Sequence, residues 1–573
     1  MKENRKPNDH KEAENDKIST YPSVNLKDLI ESFINIQCTE KGYPMNKYVQ
    51  KYRLQFVRAI ISILISTIFA VVLQFFKGNV LDYAVAGNSH ETIKYAIYLI
   101  GCILVEIGFY YLYSLFSARF VVNCTKGLKT DIFNSLLHHS YIQYKNYLQG
   151  EYIAKYTNEA DLIKERRFAM LPMLWEIVLK VLLVSAALFF LDWRIALITI
   201  FLLTTPLYVP KLIEKSLHNA QANYIKAVES SLAKVNDWLS GFEIIKNFSI
   251  ERHILRQFRL VNDDAMDKMF KDTQLGLISR LITTLMSYLS YFVILAFAAY
   301  LVLEGEFSAG DFFISIGMID QLSYPLISLS GIIRQLVAIR TSCQTMEEFI
   351  QYSSDETKHN TVSTLNKEIR MTNLSFSHDK TKPLLKNINL VIEKGKRYLV
   401  KGPSGYGKTT LINLLLRYYD PDKGQITIDG APITIYDDTY GLMTIVRQDT
   451  VLFHDTLRNN LTMYKEVNDS SLISLLNRLG LSKFANKNAL DTMITENGTN
   501  LSGGEKKRIC LARALLRDTE VLILDEPLAN LDPLSARAIE TFLLNLKERT
   551  MIVVSHQFSP DLINGFDEVI EMG

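Results

Sequence analysis

The sequence predicts an α-helical membrane domain of six spans with long cytoplasmic extensions, followed by an α/β domain. Three observations carry this reading. Six long apolar runs lie between residues 56 and 337, β-rich and helical runs alternate beyond residue 366, and the stretch GPSGYGKTT joins a strand-like run to a helix-like one.

The apolar runs cover residues 56–76, 96–116, 171–191, 195–212, 281–303 and 312–337. Each is near the ~20 residues that a helix needs to cross a bilayer. A soluble all-helical core is the competing reading, and six such runs with so few charges disfavour it. The loops after the first, third and fifth runs are short and hold little Lys or Arg. The loop after the second run is long and carries Arg119, Lys126, Lys129, Lys145, Lys164, Arg166 and Arg167. The loop after the fourth carries Lys211, Lys215, Lys226, Lys246, Arg252, Arg256, Arg259 and Lys271. Basic loops stay on the cytosolic side, which places these loops and both termini there. Their amphipathic pattern predicts membrane helices that continue into the cytosol.

Charges inside the runs point inward or to run ends. Glu176 and Lys180 are four apart on one helix face and can neutralise each other. Arg334 fits a snorkelling position near a span end, whereas Glu106 and Asp320 fit a polar cavity. Pro325 predicts a kink in the sixth run, and Pro206 and Pro210 in the fourth.

Residues 1–20 are charged with no apolar run, unlike a secretory signal. Leu26, Leu29, Ile30, Phe33 and Ile34 follow at helical spacing, suited to a membrane surface or to a neighbouring helix. The resulting domains are a tail with an amphipathic helix (1–50), a membrane domain (51–345), a polar linker (346–365) and the α/β domain (366–573). The formal charge of +2 argues against a nucleic-acid partner, which calls for a basic face. Five dispersed cysteines without a CxxC pair indicate neither a zinc site nor a disulfide framework.

The run Gly402, Pro403, Ser404, Gly405, Tyr406, Gly407, Lys408, Thr409, Thr410 fits the pattern of a phosphate-binding loop between a strand and a helix. Its glycines let successive N–H groups converge on one anion, and the helix adds its positive end. Lys408 is expected on the β- and γ-phosphates, and the Thr409 hydroxyl on Mg²⁺. The bland alternative is a glycine-rich turn with a chance lysine. The apolar run 521–524 reads as a buried parallel strand ending in Asp525 and Glu526. Asp525 is placed to hold Mg²⁺ and Glu526 to polarise an attacking water. Another buried strand ends at His556, which can orient that water; alone, such a histidine is more often a cap. Gln448 follows a further strand and can offer its amide oxygen to Mg²⁺. Ser502, Gly503, Gly504 and Glu505 open a basic helix, a second anion-binding end that alone also describes a good cap.

With these motifs in order, the chain resembles the ATP-binding cassette (ABC) transporter family. The matches are the phosphate loop 402–409, the glutamine loop at Gln448, the signature 501–505, the strand 521–525 with Glu526, the loop reaching Asp532, and the switch at His556. The membrane half resembles the exporter branch through Gly150 with Asp161, through Gly241, Lys246, Phe248 and Glu251, and through the segment 305–311. Three departures stand out: His378 where the family usually stacks an aromatic on adenine, Glu505 for the commoner Gln, and an end at Gly573 soon after the last strand.

The resemblance implies an α/β P-loop nucleotide-binding domain of ABC type, with ATP and Mg²⁺ as cofactors. It implies a half-transporter in a bacterial plasma membrane, pairing head to tail as a homodimer or heterodimer. ATP then lies between one copy's phosphate loop and the other's segment 502–504, and the loops near 144–150 and 238–242 carry the motion. An amphipathic cargo is expected, a small antibacterial-type peptide first and a lipid or hydrophobic drug next. The segment before the first span is too short for a peptidase domain, so no leader removal is expected. An ATP-gated channel and a membrane-tethered regulatory ATPase are the readings from other classes.

Overall fold

The computed structural model describes residues 45–139, 141–145, 149–204, 209–351, 360–377, 383–403, 405–529, 531–546, 549–556 and 558–572. The amphipathic pattern at 26–34, Pro206, His378 and Ser404 lie outside the described residues. The described residues form two compact units: a helical one of residues 45–137 and 149–351, and an α/β one that takes in residues 138–139 and 141–145 and resumes at residue 360.

The helical unit is built from α1 (Arg53–Val85), α2 (Ser89–His138), α3 (Met170–Leu191), α4 (Trp193–Thr204), α5 (Val209–Ser240), α6 (Glu251–Leu303) and α7 (Ala309–Gln351). The described parts of all six predicted runs fall on these helices. Among the described residues, four stretches are long and apolar enough to cross a membrane, namely Arg53–Val85, Ser89–His138, Gln149–Leu191 and Glu251–Leu303; Trp193–Leu202 is a shorter apolar helix. The sixth predicted run lies within α7, which contains Pro325. The 50 residues of α2 and 53 of α6 correspond to roughly 75–80 Å of helix, more than twice a ~30 Å hydrocarbon core. Along α2, Ile93, Ile97, Ile100, Leu104, Ile107 and Tyr111 face outward, an apolar surface that water does not tolerate and lipid does.

Small residues set the closest approach in this unit. A Cβ on Gly310 would collide with the Asp82 carboxylate, and one on Gly78 would sit 2.5 Å from the Ile314 side chain, so α1 and α7 touch nearly backbone to backbone. Glu176 and Lys180 pair at 2.7 Å, as their spacing predicts. A separate cluster cores the helical extensions, with Tyr48, Phe120, Leu128, Ile132, Phe168, Met346 and Phe349 buried. Residues 346–351, assigned from sequence to the linker, complete α7, because Met346, Phe349 and Ile350 have this apolar partner.

In the α/β unit, an antiparallel sheet has the order β2-β1-β4-β5, with β1 Glu368–Phe376, β2 Leu385–Glu393, β4 Lys423–Ile428 and β5 Ala431–Pro432. A parallel sheet has the order β6-β7-β8-β3-β9, with β3 Arg397–Lys401, β6 Met443–Val446, β7 Val521–Asp525, β8 Thr550–Val554 and β9 Glu568–Glu571. Every residue of β7 and β8 is buried, which is why both read as unbroken apolar runs. Parallel pairing brings the carboxyl ends of β3, β7 and β8 to one edge, and functional groups of such sheets collect there.

Candidate nucleotide site

The loop after β3 leads into α8 (Lys408–Leu415), whose N-cap is Gly407 at φ +87°. Gly405 also has φ +87°, a left-handed backbone that glycine adopts without strain. At Gly402 a side chain would strike the Met572 carbonyl beside β9, so this turn packs against the last strand. Lys408 is buried and its Nζ donates to the carbonyls of Gly402 (2.7 Å) and Pro403 (2.9 Å), curling across the loop. Thr410 is buried beneath the helix, whereas Tyr406 and Thr409 are exposed.

Asp525 ends β7 and is buried. Burial pushes its carboxyl pKa up, with the Glu526 charge acting in the same direction, while Arg447, Lys408 and Lys507 oppose them. No hydrogen bond from the described residues reaches the carboxylate. A buried anion of this kind, beside a phosphate loop, has the donor chemistry of a hard-cation ligand.

Glu526 follows with φ +50°. Its N–H donates to the Val554 carbonyl at 2.9 Å, tying it to the end of β8. His556, two residues beyond β8, is exposed and brings Nε2 to 3.6 Å from the Glu526 Oε1. Gln448 is exposed in the turn after β6, and its neighbour Arg447 donates to the Asn413 side chain at 2.7 Å.

Ser502 caps α9 (Gly503–Leu516) with a reciprocal box: its Oγ accepts from the Glu505 N–H at 3.3 Å, and the Glu505 carboxylate accepts from the Ser502 N–H at 2.9 Å. Burial pushes the Glu505 carboxyl pKa up, but Lys483 and the Ser502 N–H outweigh it and hold the group below the usual range. Glutamate here therefore completes a cap, and Gly503 stays exposed at the helix end. Asp532 caps α10 (Pro533–Leu544) by accepting from the Ser535 N–H at 3.0 Å. The structure thus brings the phosphate loop, Asp525, Glu526 and His556 to one edge, and sets Ser502 and Gly503 on an exposed helix start.

Two contributors escape sequence reading. Lys507 looks like part of a basic helix face, yet its Nζ donates to the Glu526 carbonyl at 2.7 Å. Its spacing from Cys510, Leu511 and Ala514 (i, i+3, i+4, i+7) puts it in the buried stripe, and that is the signal that marks it. The second is Tyr141, whose ring stacks on Tyr418 with centroids 3.7 Å apart and planes at 13°.

Two family models match: the ABC transporter transmembrane region over residues 54–326 and the ABC transporter model over residues 385–529. The chain belongs to the ABC transporter family. The exporter is 27% identical to the ATP-dependent lipid A-core flippase of Photobacterium profundum, a match covering 82% of each chain. It is 25% identical to the lactococcin-G-processing and transport ATP-binding protein LagD of Lactococcus lactis, over 88% of this chain and 73% of that one. A bacterial Atm1-family ABC exporter with ATP bound has the same fold, with TM-score 0.77 at 22% identity over 91% of this chain and 93% of the other. The exporter is an integral membrane protein that couples ATP hydrolysis to transport, in agreement with the fold class and activity expected from its motifs.

Proposed function

We propose that two copies of this exporter move an amphipathic substrate out of the cell by alternating access. The observation that supports it is the division of the nucleotide machinery: phosphate loop, carboxylates and histidine gather at one sheet edge, while the anion-binding start of α9 stands exposed. An exposed glycine-bearing helix start is suited to a phosphate carried by a second copy. In this arrangement Gly402, Pro403, Ser404, Gly405, Tyr406, Gly407, Lys408, Thr409 and Thr410 hold the triphosphate, and His378 packs on the base. Ser502, Gly503, Gly504 and Glu505 close over it from the second copy, with Asp532 bordering the site. Thr409, Gln448 and Asp525 hold Mg²⁺, which when bound neutralises phosphate charge. Glu526 takes the proton of the attacking water and His556 orients it. The α/β domain 366–573 and both termini face the cytosol, and the membrane domain 51–345 encloses the path.

The cargo class we favour is a small amphipathic peptide, and a lipid is the second reading, favoured by similarity to lipid A-core flippases. The deciding experiment measures ATPase stimulation and ATP-dependent flux in proteoliposomes offered cationic amphipathic peptides, labelled lipids or hydrophobic drugs. Peptide-stimulated hydrolysis with matching flux supports the first reading, and lipid translocation alone the second. Hydrolysis without flux of any compound overturns both in favour of a regulatory ATPase, and ATP-gated currents in a planar bilayer overturn them in favour of a channel.

A further inference from the structure

One turn beyond the exposed start of α9, Lys507 points inward. It is 7% exposed and shares the buried stripe with Cys510, Leu511 and Ala514. Burial pushes its ammonium pKa down, and the charges of Glu526, Asp525 and Asp449 act against that. A buried ammonium persists where it is hydrogen-bonded, and the partner here is specific: the main-chain carbonyl of Glu526, 2.7 Å from Nζ. That carbonyl belongs to a glutamate at φ +50°. A non-glycine residue holds this conformation only when its surroundings impose it. Three bonds do so: its N–H donates to the Val554 carbonyl at 2.9 Å, and its carbonyl accepts from Lys507 Nζ at 2.7 Å and, at a longer 3.3 Å, from the Ala529 N–H. A charge-assisted hydrogen bond is of the same order as the cost of one strained residue, and of the carbonyl's two donors the lysine is the shorter and the charged one.

We propose that Lys507 is the positioning residue for Glu526, locking the backbone that aims its carboxylate and tying it to the helix that starts at Gly503. The inference rests on Glu526 acting as the base proposed above. Because α9 is a rigid rod, a shift of its start against a second copy's nucleotide moves Nζ, and with it the Glu526 carbonyl. The signature end of one nucleotide site is thereby linked to the base of the other. The competing role is purely structural, a lysine that satisfies a carbonyl so that the domain folds.

The test uses the full chain in lipid vesicles and a phosphate-release assay on wild type, Lys507→Met, Lys507→Arg, Glu526→Gln and the double variant Lys507→Met with Glu526→Gln. Lys507→Met is expected to lower kcat ~10- to 100-fold, the scale for a misplaced catalytic group, with KM for ATP within about twofold. Lys507→Arg, which keeps charge and donor, is expected to recover most of that loss. The double variant is expected to be no slower than Glu526→Gln alone, since a base already removed cannot be mispositioned. A wild-type kcat in Lys507→Met, a loss carried by KM, or losses that multiply in the double variant would overturn the proposal. If Lys507→Met does not accumulate in the membrane, Lys507→Leu, which likewise offers no donor, runs through the same cycle under the same criteria. Wild-type hydrolysis by Glu526→Gln would instead overturn the assignment of the base, whatever Lys507 does.

Discussion

The His556 Nε2 stands 3.6 Å from the Glu526 Oε1 at the carboxyl edge of the parallel sheet. That is too long for a good hydrogen bond, yet close enough for both groups to reach one water. Glu526 directly follows β7 and His556 lies two residues beyond the neighbouring β8, so the pairing of these strands brings the two groups together.

Glu526→Gln is expected to slow hydrolysis by ~10²- to 10⁴-fold, the usual contribution of a positioned base, while ATP binding persists. The variant should accumulate as an ATP-bound dimer. Cross-linking of cysteines placed at Ser502 and Gly405 reports that dimer, and phosphate release reports the rate. His556→Ala, which removes the orienting group and leaves the base, is expected to lose less.

Lys408→Ala is expected to weaken nucleotide binding strongly and to abolish flux with it. The buried ammonium now bonded to the Gly402 and Pro403 carbonyls is the positive charge placed at the loop's centre. Losing a charge-assisted contact of about 3 kcal/mol corresponds to a roughly 100-fold weaker Kd for ATP, measurable with a fluorescent nucleotide.

The nucleotide site is legible in the sequence because its groups sit at chain punctuation. Gly402 to Gly407 break a strand into a helix, and Asp525 and His556 end apolar runs that only buried parallel strands produce. Glu505 and Asp532 announce themselves as caps three residues from their partners. What stays illegible depends on long-range packing. The Lys507 bond reaches 19 positions along the chain, and the Tyr141 ring meets a tyrosine from another part of the fold. Local spacing puts Lys507 in the buried stripe without naming its partner, and nothing local marks the Tyr141 contact. The extent of α7 is hidden for the same reason: Met346 and Phe349 look like linker residues until the cluster that buries them is seen.

The Tyr141–Tyr418 stack leads to a separable defect. Tyr418 also faces the Arg447 guanidinium at 5.4 Å, one residue before Gln448. A segment that leaves the end of α2 is thus in contact with Tyr418, which faces the residue before Gln448. A stacked pair contributes about 0.5–1.5 kcal/mol beyond its burial, too little to decide folding of the domain. Tyr141→Ala is expected to keep ATP hydrolysis within about threefold while flux per ATP falls ~10-fold. Proteoliposomes assayed for both quantities check this, and a proportional fall in the two would assign the stack to folding.

Asp429 gives the pH prediction. Its carboxylate accepts from the backbone N–H groups of Asn366 (2.7 Å), Lys367 (2.7 Å) and Glu368 (3.0 Å), pinning the start of β1 to the turn after β4. Burial raises its pKa, but the three N–H donors outweigh that and hold it below the usual range. A lowered folded-state pKa means stability that is present above the unfolded value near ~3.9 and lost as pH falls through the folded value. Asp429→Asn is expected to weaken this anchor by about 1–2 kcal/mol, giving roughly tenfold faster hydrogen exchange over residues 366–368 at pH 7. The gap between variant and wild type should be flat above about pH 5 and close below about pH 4 as the wild-type carboxyl protonates.

The clasp between α1 and α7 gives the last expectation. Asp82 accepts from the Gly310 N–H at 2.6 Å and from the Ser308 hydroxyl at 2.8 Å. Ser308 also starts α7 in reciprocal bonds with Asp311, its N–H to the Asp311 carboxylate at 3.0 Å and its Oγ from the Asp311 N–H at 2.9 Å. The segment 305–311 therefore does two things at once: it caps a helix and offers a bare backbone N–H to a neighbour. Only glycine at 310 allows the second, since any Cβ would meet the Asp82 carboxylate. Gly310→Ala is expected to force α1 and α7 apart at a cost of about 1–3 kcal/mol, the range for overpacking. Asp82→Ala removes the acceptor without adding bulk and leaves a part-buried N–H unpaired, at a cost of about 1–3 kcal/mol. The two costs share one origin, so Gly310→Ala combined with Asp82→Ala should be milder than their sum, because truncating Asp82 makes room for the new methyl. Thermal stability of the detergent-solubilised chain, read as the fraction remaining monodisperse after heating, checks this. Strictly additive losses would mean that the two residues do not meet.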